Sequence, residues 1–151
     1  MSMKKLSTKP CTEISTAWAA GFLDGNGCVS ISKHHARGRK NKTYRLWIRV
    51  VQTSEETLMH FQELLNTPSM ITLTVPKNQQ HKRIFALVYE GRHALSVLKK
   101  LRPYLILKAD QAESAAQFWQ EGRMGISPGP RGFDEDVWKT REYWFQELRR
   151  K

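Results

Sequence analysis

The sequence predicts an α+β domain in which four antiparallel strands form one sheet and the helices lie on one of its faces. Three observations predict it. Segments of helical and of alternating periodicity follow one another in the order α-β-β-α-β-β-α-α, and one more helical segment closes the chain. The strands come in pairs separated by polar, basic turns. One strand alternates apolar residues with Arg45, Trp47 and Arg49, which leaves one face of the sheet bare.

The elements justify themselves in order. Residues 1–11 read as a flexible basic arm, and residues 12–151 as a single domain. Thr12 or Ser15 can cap a first helix that runs to about Asp24 and ends at Gly25 and Gly27. Cys28 to Lys33 alternates and is a strand; Lys33 to Thr43 is a loop rich in positive charge and without an acid. Tyr44 to Gln52 is the second strand, with Leu46, Ile48 and Val50 on one side and Arg45, Trp47 and Arg49 on the other. Ser54 is a good N-cap, and Glu55 and Glu56 in the first turn suit the positive end of the helix dipole. That helix reaches about Asn66, with Leu58, Phe61, Leu64 and Leu65 at helical spacing. Met70 to Val75 and Arg83 to Tyr89 are two strands around the turn Pro76 to Lys82. Arg92 to Leu101 is a helix closed by Pro103, and Tyr104 to Lys108 is a compact connector. Asp110 to Glu121 is a helix packing through Ala112, Ala115, Ala116 and Trp119. The Gly- and Pro-bearing stretch 122–133 is a loop, and 134–151 is an amphipathic helix carrying Trp138, Tyr143, Trp144 and Leu148.

At 151 residues the chain is long enough to bury a core, and 25 Lys plus Arg against 14 Asp plus Glu leave a net charge of +11. Such a charge points to a polyanionic partner, nucleic acid first and an anionic membrane surface second. No apolar run approaches the length of a membrane span, and no helix shows the strongly cationic amphipathic face of a membrane-surface binder. The two cysteines, Cys11 and Cys28, form no CxxC pair, which suits a reduced intracellular protein. His34 and His35 are adjacent on a loop with no second ligand pair, so a phosphate contact suits them better than zinc.

The bare sheet face is the candidate docking surface for double-stranded DNA. Arg45, Trp47 and Arg49 belong to it, and Ser30 and Ser32 lie on one side of the neighbouring strand. An arginine there can make two hydrogen bonds to a guanine edge, worth about 1–3 kcal/mol of discrimination. His34, Arg37, Arg39, Lys40 and Lys42 in one loop, and Lys77, Lys82 and Arg83 in the other, can hold phosphates beyond the strand ends. Thr72 and Thr74 add polar positions on the third strand. The competing view is a solvated face carrying long cations.

The run Ala19-Ala20-Gly21-Phe22-Leu23-Asp24-Gly25-Asn26-Gly27 resembles the LAGLIDADG motif of homing endonucleases, with Ala19 for the leading Leu and Asn26 for the second Asp. Val50-Val51-Gln52 is similar to the strand that supplies a glutamine near that family's cleavage centre. Pro103 to Ala112 is similar to the connector that carries an active-site lysine, here Lys108. The resemblance covers about residues 13–121. It implies a twisted sheet saddle of αββαββα order and, with one motif per chain, a homodimer. Its motif helices would meet at the two-fold axis through Ala17, Ala20, Gly21 and Asp24, and the paired saddles would track a long, pseudo-palindromic duplex.

The resemblance also implies a metal-dependent DNA endonuclease. Magnesium would be held at the motif's tip by residue 26 and the Gly25 carbonyl, Gln52 would hold the water, and Lys108 would stabilise developing negative charge. Asn26 departs from this pattern, since an amide oxygen is a neutral and weaker ligand than a carboxylate. It reads as an engineered change, as natural decay, or as a turn residue at the start of a strand. Asp24, two residues back, is expected to bond nearby backbone or to pack at the seam. The expectation is therefore a site-specific homing endonuclease that cleaves poorly or not at all. The alternative is a non-cleaving DNA or RNA binder on the same scaffold, such as an intron maturase. Bacterial cytoplasm and an organelle are both compatible locations.

Overall fold

A computed structural model describes residues 13–74, 77 and 82–151. The arm 1–11, Cys11, the Thr12 cap, Val75 and most of the turn Pro76 to Lys82 lie outside the described residues. The elements are α1 (Glu13–Asn26), β1 (Gly27–His34), β2 (Thr43–Gln52), α2 (Glu55–Leu65), β3 (Met70–Thr74), β4 (Ile84–Glu90), α3 (Arg92–Leu101), α4 (Ala109–Glu121) and α5 (Glu135–Arg150). A 3-10 turn at Arg102–Tyr104 lies within the connector between α3 and α4.

The four strands form one antiparallel sheet in the order β1-β2-β4-β3. Alternation sorts its two faces. On the inner face Val29 and Ile31 of β1, Leu46, Ile48 and Val50 of β2, and Leu87 and Tyr89 of β4 are buried. Leu58, Phe61 and Leu65 of α2, Val97, Leu98 and Leu101 of α3, and Ala112, Ala115 and Phe118 of α4 belong to the same core. Leu64 of α2, and Ala116 and Trp119 of α4, are only partly buried.

Local chemistry fixes the boundaries. Ser54 caps α2 as its sequence suggests: its hydroxyl accepts from the Thr57 N–H at 3.3 Å. Asn66 ends that helix in the left-handed region, at φ 44°. Gly91 joins β4 to α3 at φ 59°, a conformation that side chains strain, and its N–H donates to the Leu46 carbonyl at 2.7 Å.

One expectation is corrected here. Lys33 is not part of the basic loop. It is a β1 residue on the parity of Val29 and Ile31, and its Nζ bonds Glu142 of α5 at 2.9 Å above the Phe145 ring. Helix α5 buries Arg141, Phe145 and Leu148, whereas Tyr143 is exposed and Trp138 and Trp144 are only half-buried. The packing face of α5 thus combines buried Arg141, Phe145 and Leu148 with Trp138 and Trp144, which lie partly buried against the core. Arg141 donates from Nε to the Gly122 carbonyl at 2.6 Å and lies over the Phe133 and Trp138 rings. That arrangement pins the 122–133 loop to the last helix.

Candidate nucleic-acid interface and helix-tip site

The outer face of the sheet is assembled by register. Ser30 faces Trp47, Ser32 faces Arg45, Cys28 faces Arg49 and His34 faces Thr43 across β1 and β2. On the far side Trp47 faces Glu90 and Arg49 faces Val88 across β2 and β4, and Thr72 and Thr74 reach the same face from β3. Arg45, Arg49, Ser32, His34, Thr72 and Thr74 are exposed there, and Trp47 is half-buried. Ser30 differs from its expected role: its hydroxyl is buried without a hydrogen-bond partner. The Ser32 hydroxyl donates to the Arg45 carbonyl at 3.4 Å.

The β1–β2 loop carries exposed Arg37, Arg39, Lys40 and Lys42 past one end of these strands. It is folded by the His35 ring, which donates from Nε2 to the Arg39 carbonyl at 2.8 Å, and it turns through Gly38 at φ 84°. Lys77, Lys82 and Arg83, beside the β3–β4 turn, are exposed as well. Glu90, at the end of β4, joins this face. It is an acid on this otherwise cationic face, and its Oε2 lies 3.3 Å from Arg45 Nη1. No sequence signal reveals that contact, because it depends on β4 pairing with β2 rather than on spacing along the chain.

The second site lies at the tip of α1. The helix runs on to Asn26, two residues past its expected end, and Gly27 starts β1 at once. A Cβ on Gly27 would sit 2.3 Å from Leu23 Cδ1 and 2.8 Å from the Leu23 carbonyl, so this abrupt junction requires glycine. Asn26 is exposed, and its amide donates to the Phe22 carbonyl at 3.4 Å, a bond a carboxylate cannot make.

Asp24 ties this tip to the connector. Its carboxylate accepts the Ile106 N–H at 2.8 Å and the Lys108 N–H at 3.0 Å, and the Lys108 amine donates to the Asp24 carbonyl at 2.6 Å. Lys108 is thereby held against Asp24 in the last turn of α1, the helix that ends at Asn26. The pairing of Gly27 with Val50 places the end of β2 next to the same tip. Gln52 there folds back, its Oε1 accepting the Thr53 N–H at 2.9 Å. Of the four seam residues, Ala17 and Gly21 are exposed on the outer side of α1, with no atom within 4 Å of a Cβ on Gly21. Ala20 is fully buried inside its own chain and so is corrected from a seam position to a core position.

The donor set at the tip decides how a metal would fare. Magnesium takes carboxylate oxygens and keeps several waters. Asn26 offers an amide oxygen and Gly25 a backbone carbonyl, both neutral, while both Asp24 oxygens are engaged by N–H groups. Among the described residues no three His, Cys, Asp or Glu side chains gather to hold a metal ion. These residues do not fit a tightly held magnesium ion.

The four-stranded antiparallel sheet with helices on one face matches the fold of LAGLIDADG homing endonucleases. Solved structures of that class match along most of the chain. The homing endonuclease I-CvuI, in complex with DNA, superposes with TM-scores of 0.69 and 0.70 at 23% and 22% identity, over 90% and 89% of this chain and 80% of that one. One of those complexes was formed with magnesium and its DNA was not cleaved; the other was formed with calcium. The archaeal intron-encoded I-Vdi141I, also bound to DNA, matches with a TM-score of 0.72 at 15% identity, over 91% of this chain and 84% of that one. I-LtrWI, bound to its target DNA, matches with a TM-score of 0.66 at 15% identity, over 90% of this chain and 44% of that longer one. No protein-family model matches the sequence, and no curated protein matches it. Among the described residues no helix is long and apolar enough to cross a membrane.

Proposed function

We propose that this chain is a site-specific double-stranded DNA-binding protein of the homing-endonuclease type, acting as a homodimer on a pseudo-palindromic site, with cleavage impaired by Asn26. The observation that supports it best is the outer sheet face, where Arg45, Trp47 and Arg49 alternate with buried Leu46, Ile48 and Val50. Nothing in folding calls for two arginines and a tryptophan on that side, whereas a sheet face of this kind fits the major groove. The arginines donate to base edges, and Arg37, Arg39, Lys40 and Lys42 hold phosphates beyond them. The exposed small residues Ala17, Gly21 and Gly25 allow the α1 helices of two copies to meet closely. That contact sets two sheets side by side on one duplex, so a symmetric protein meets a symmetric site.

At the tip, the Lys108 amine is the group able to stabilise negative charge developing on a phosphate, and the Gln52 amide is the group able to orient a water. The neutral donors at Asn26 and Gly25 favour a second reading, a binder of DNA or folded RNA that does not cut, such as an intron maturase. Restoring the acid separates the two. Asn26→Asp, given magnesium and a pool of long duplexes, is expected to cut at one sequence that the unsubstituted chain binds but cuts far more slowly or not at all. A variant that binds one sequence tightly and never cuts with any divalent ion establishes the binder instead. A chain with no preference among duplexes overturns the proposal.

A further inference from the structure

Among the described residues on the outer sheet face, Glu90 is the only carboxylate. It sits at the end of β4, paired across to Trp47 and diagonal to Arg45, with Glu90 Oε2 3.3 Å from Arg45 Nη1. Both side chains are 57% exposed. An exposed ion pair adds little to folding. An acid facing a duplex is also repelled by its phosphates. A face that bound DNA through phosphates alone would therefore be better off without Glu90.

We propose that Glu90 is a specificity-determining residue: it holds the Arg45 guanidinium as a fixed fork that reads one guanine in each half-site. The inference rests on the duplex-binding reading given above. A free arginine orders a long chain when it meets its target, and a fork already held by a carboxylate loses less freedom. The planar guanidinium keeps further N–H groups beyond the one that meets Glu90. Guanine presents O6 and N7 on its major-groove edge as the matching pair of acceptors. Ser32 flanks the same arginine on β1, its hydroxyl bonded to the Arg45 carbonyl at 3.4 Å. Arg49, one pleat further along β2, makes no ion pair among the described residues and is the internal contrast.

The test is selection from a randomised duplex library, without divalent ion, using the full chain, Glu90→Gln, Arg45→Ala and the double variant. The unsubstituted chain is expected to enrich guanine at one position of each half-site. Glu90→Gln and Arg45→Ala should each weaken that preference, by about five- to hundredfold when the contact is fully lost. The double variant should go no further than Arg45→Ala, the other positions should keep their preferences, and all unfolding midpoints should coincide. Uniformly tighter binding by Glu90→Gln, with every base preference intact, overturns the inference and makes Glu90 a mere electrostatic brake. A loss spread over all positions also overturns it. If the unsubstituted chain enriches no sequence, the duplex-binding reading itself fails, and the inference falls with it.

Discussion

The two faces of β2 are built from neighbouring residues and face opposite demands. Leu46, Ile48 and Val50 are fully buried, while Arg45 and Arg49 stand exposed on the other side with Trp47 between them. A slip of one residue in register would exchange the two sets and bury two arginines in the core. The fold is therefore secured by one half of the strand, and the other half is left free to carry recognition. The contrast can be broken at adjacent positions. Ile48→Ala is expected to lower unfolding free energy by about 2–5 kcal/mol and, at temperatures where it stays folded, to leave base preference alone. Arg49→Ala should change stability by no more than about 0.5 kcal/mol. It should relax preference at one position per half-site by about 1–3 kcal/mol, measured as relative affinity for singly substituted duplexes. If the two variants fail in the same assay, the separation of faces is wrong.

A smaller effect comes from the inner side. Burial alone would raise the Glu142 carboxyl, but hydrogen bonds from Tyr44, Lys33 and Gln146 and the Lys33 charge hold it at about 2. Burial and the bond to Glu142 push the Tyr44 hydroxyl well above the ordinary tyrosine range. A carboxyl held below its unfolded value of 4.5 contributes stability in full above that pH and loses it as pH falls toward 2. Urea unfolding across that window should show the chain and its Glu142→Gln variant converging in stability as the pH drops, with a constant gap above 4.5. A gap unchanged by pH would mean that the anchor of α5 is steric rather than ionic.

Much of this was legible in the sequence, because it depends on local pattern. The alternation in β2, the Ser54 cap and the glycine-bearing junction after α1 each declare themselves within a few residues. The rest depends on pairing between distant segments. Lys33 looks like one more cation of a basic loop until α5 brings Glu142 onto it. Ala20 belongs to the same run of small residues as Ala17 and Gly21, and only the packing of α1 turns it inward. Arg141 carries no mark of burial in its neighbouring residues, yet the loop carbonyl at Gly122 and two aromatic rings make a buried place for it. The pairing of Glu90 with Arg45 follows from the strand order β1-β2-β4-β3, which no periodicity encodes.

Under the proposed function the outer face divides into groups that read bases and groups that hold phosphates, and the smallest predicted effect sharpens that division. Lys42, exposed in the β1–β2 loop, is assigned to a phosphate. Lys42→Ala should weaken all duplexes alike, with base preferences unmoved. Each phosphate neutralised contributes about 0.9 to the slope of log affinity against log salt. A protomer binding alone would thus lose about 1 from that slope, and a homodimer, which carries the change twice, would lose about 2. One titration of affinity against salt therefore reports both what Lys42 touches and how many copies of the chain sit on the duplex. A changed base preference would move Lys42 into the reading group, and a loss of about 1 would mean that a single protomer occupies the site.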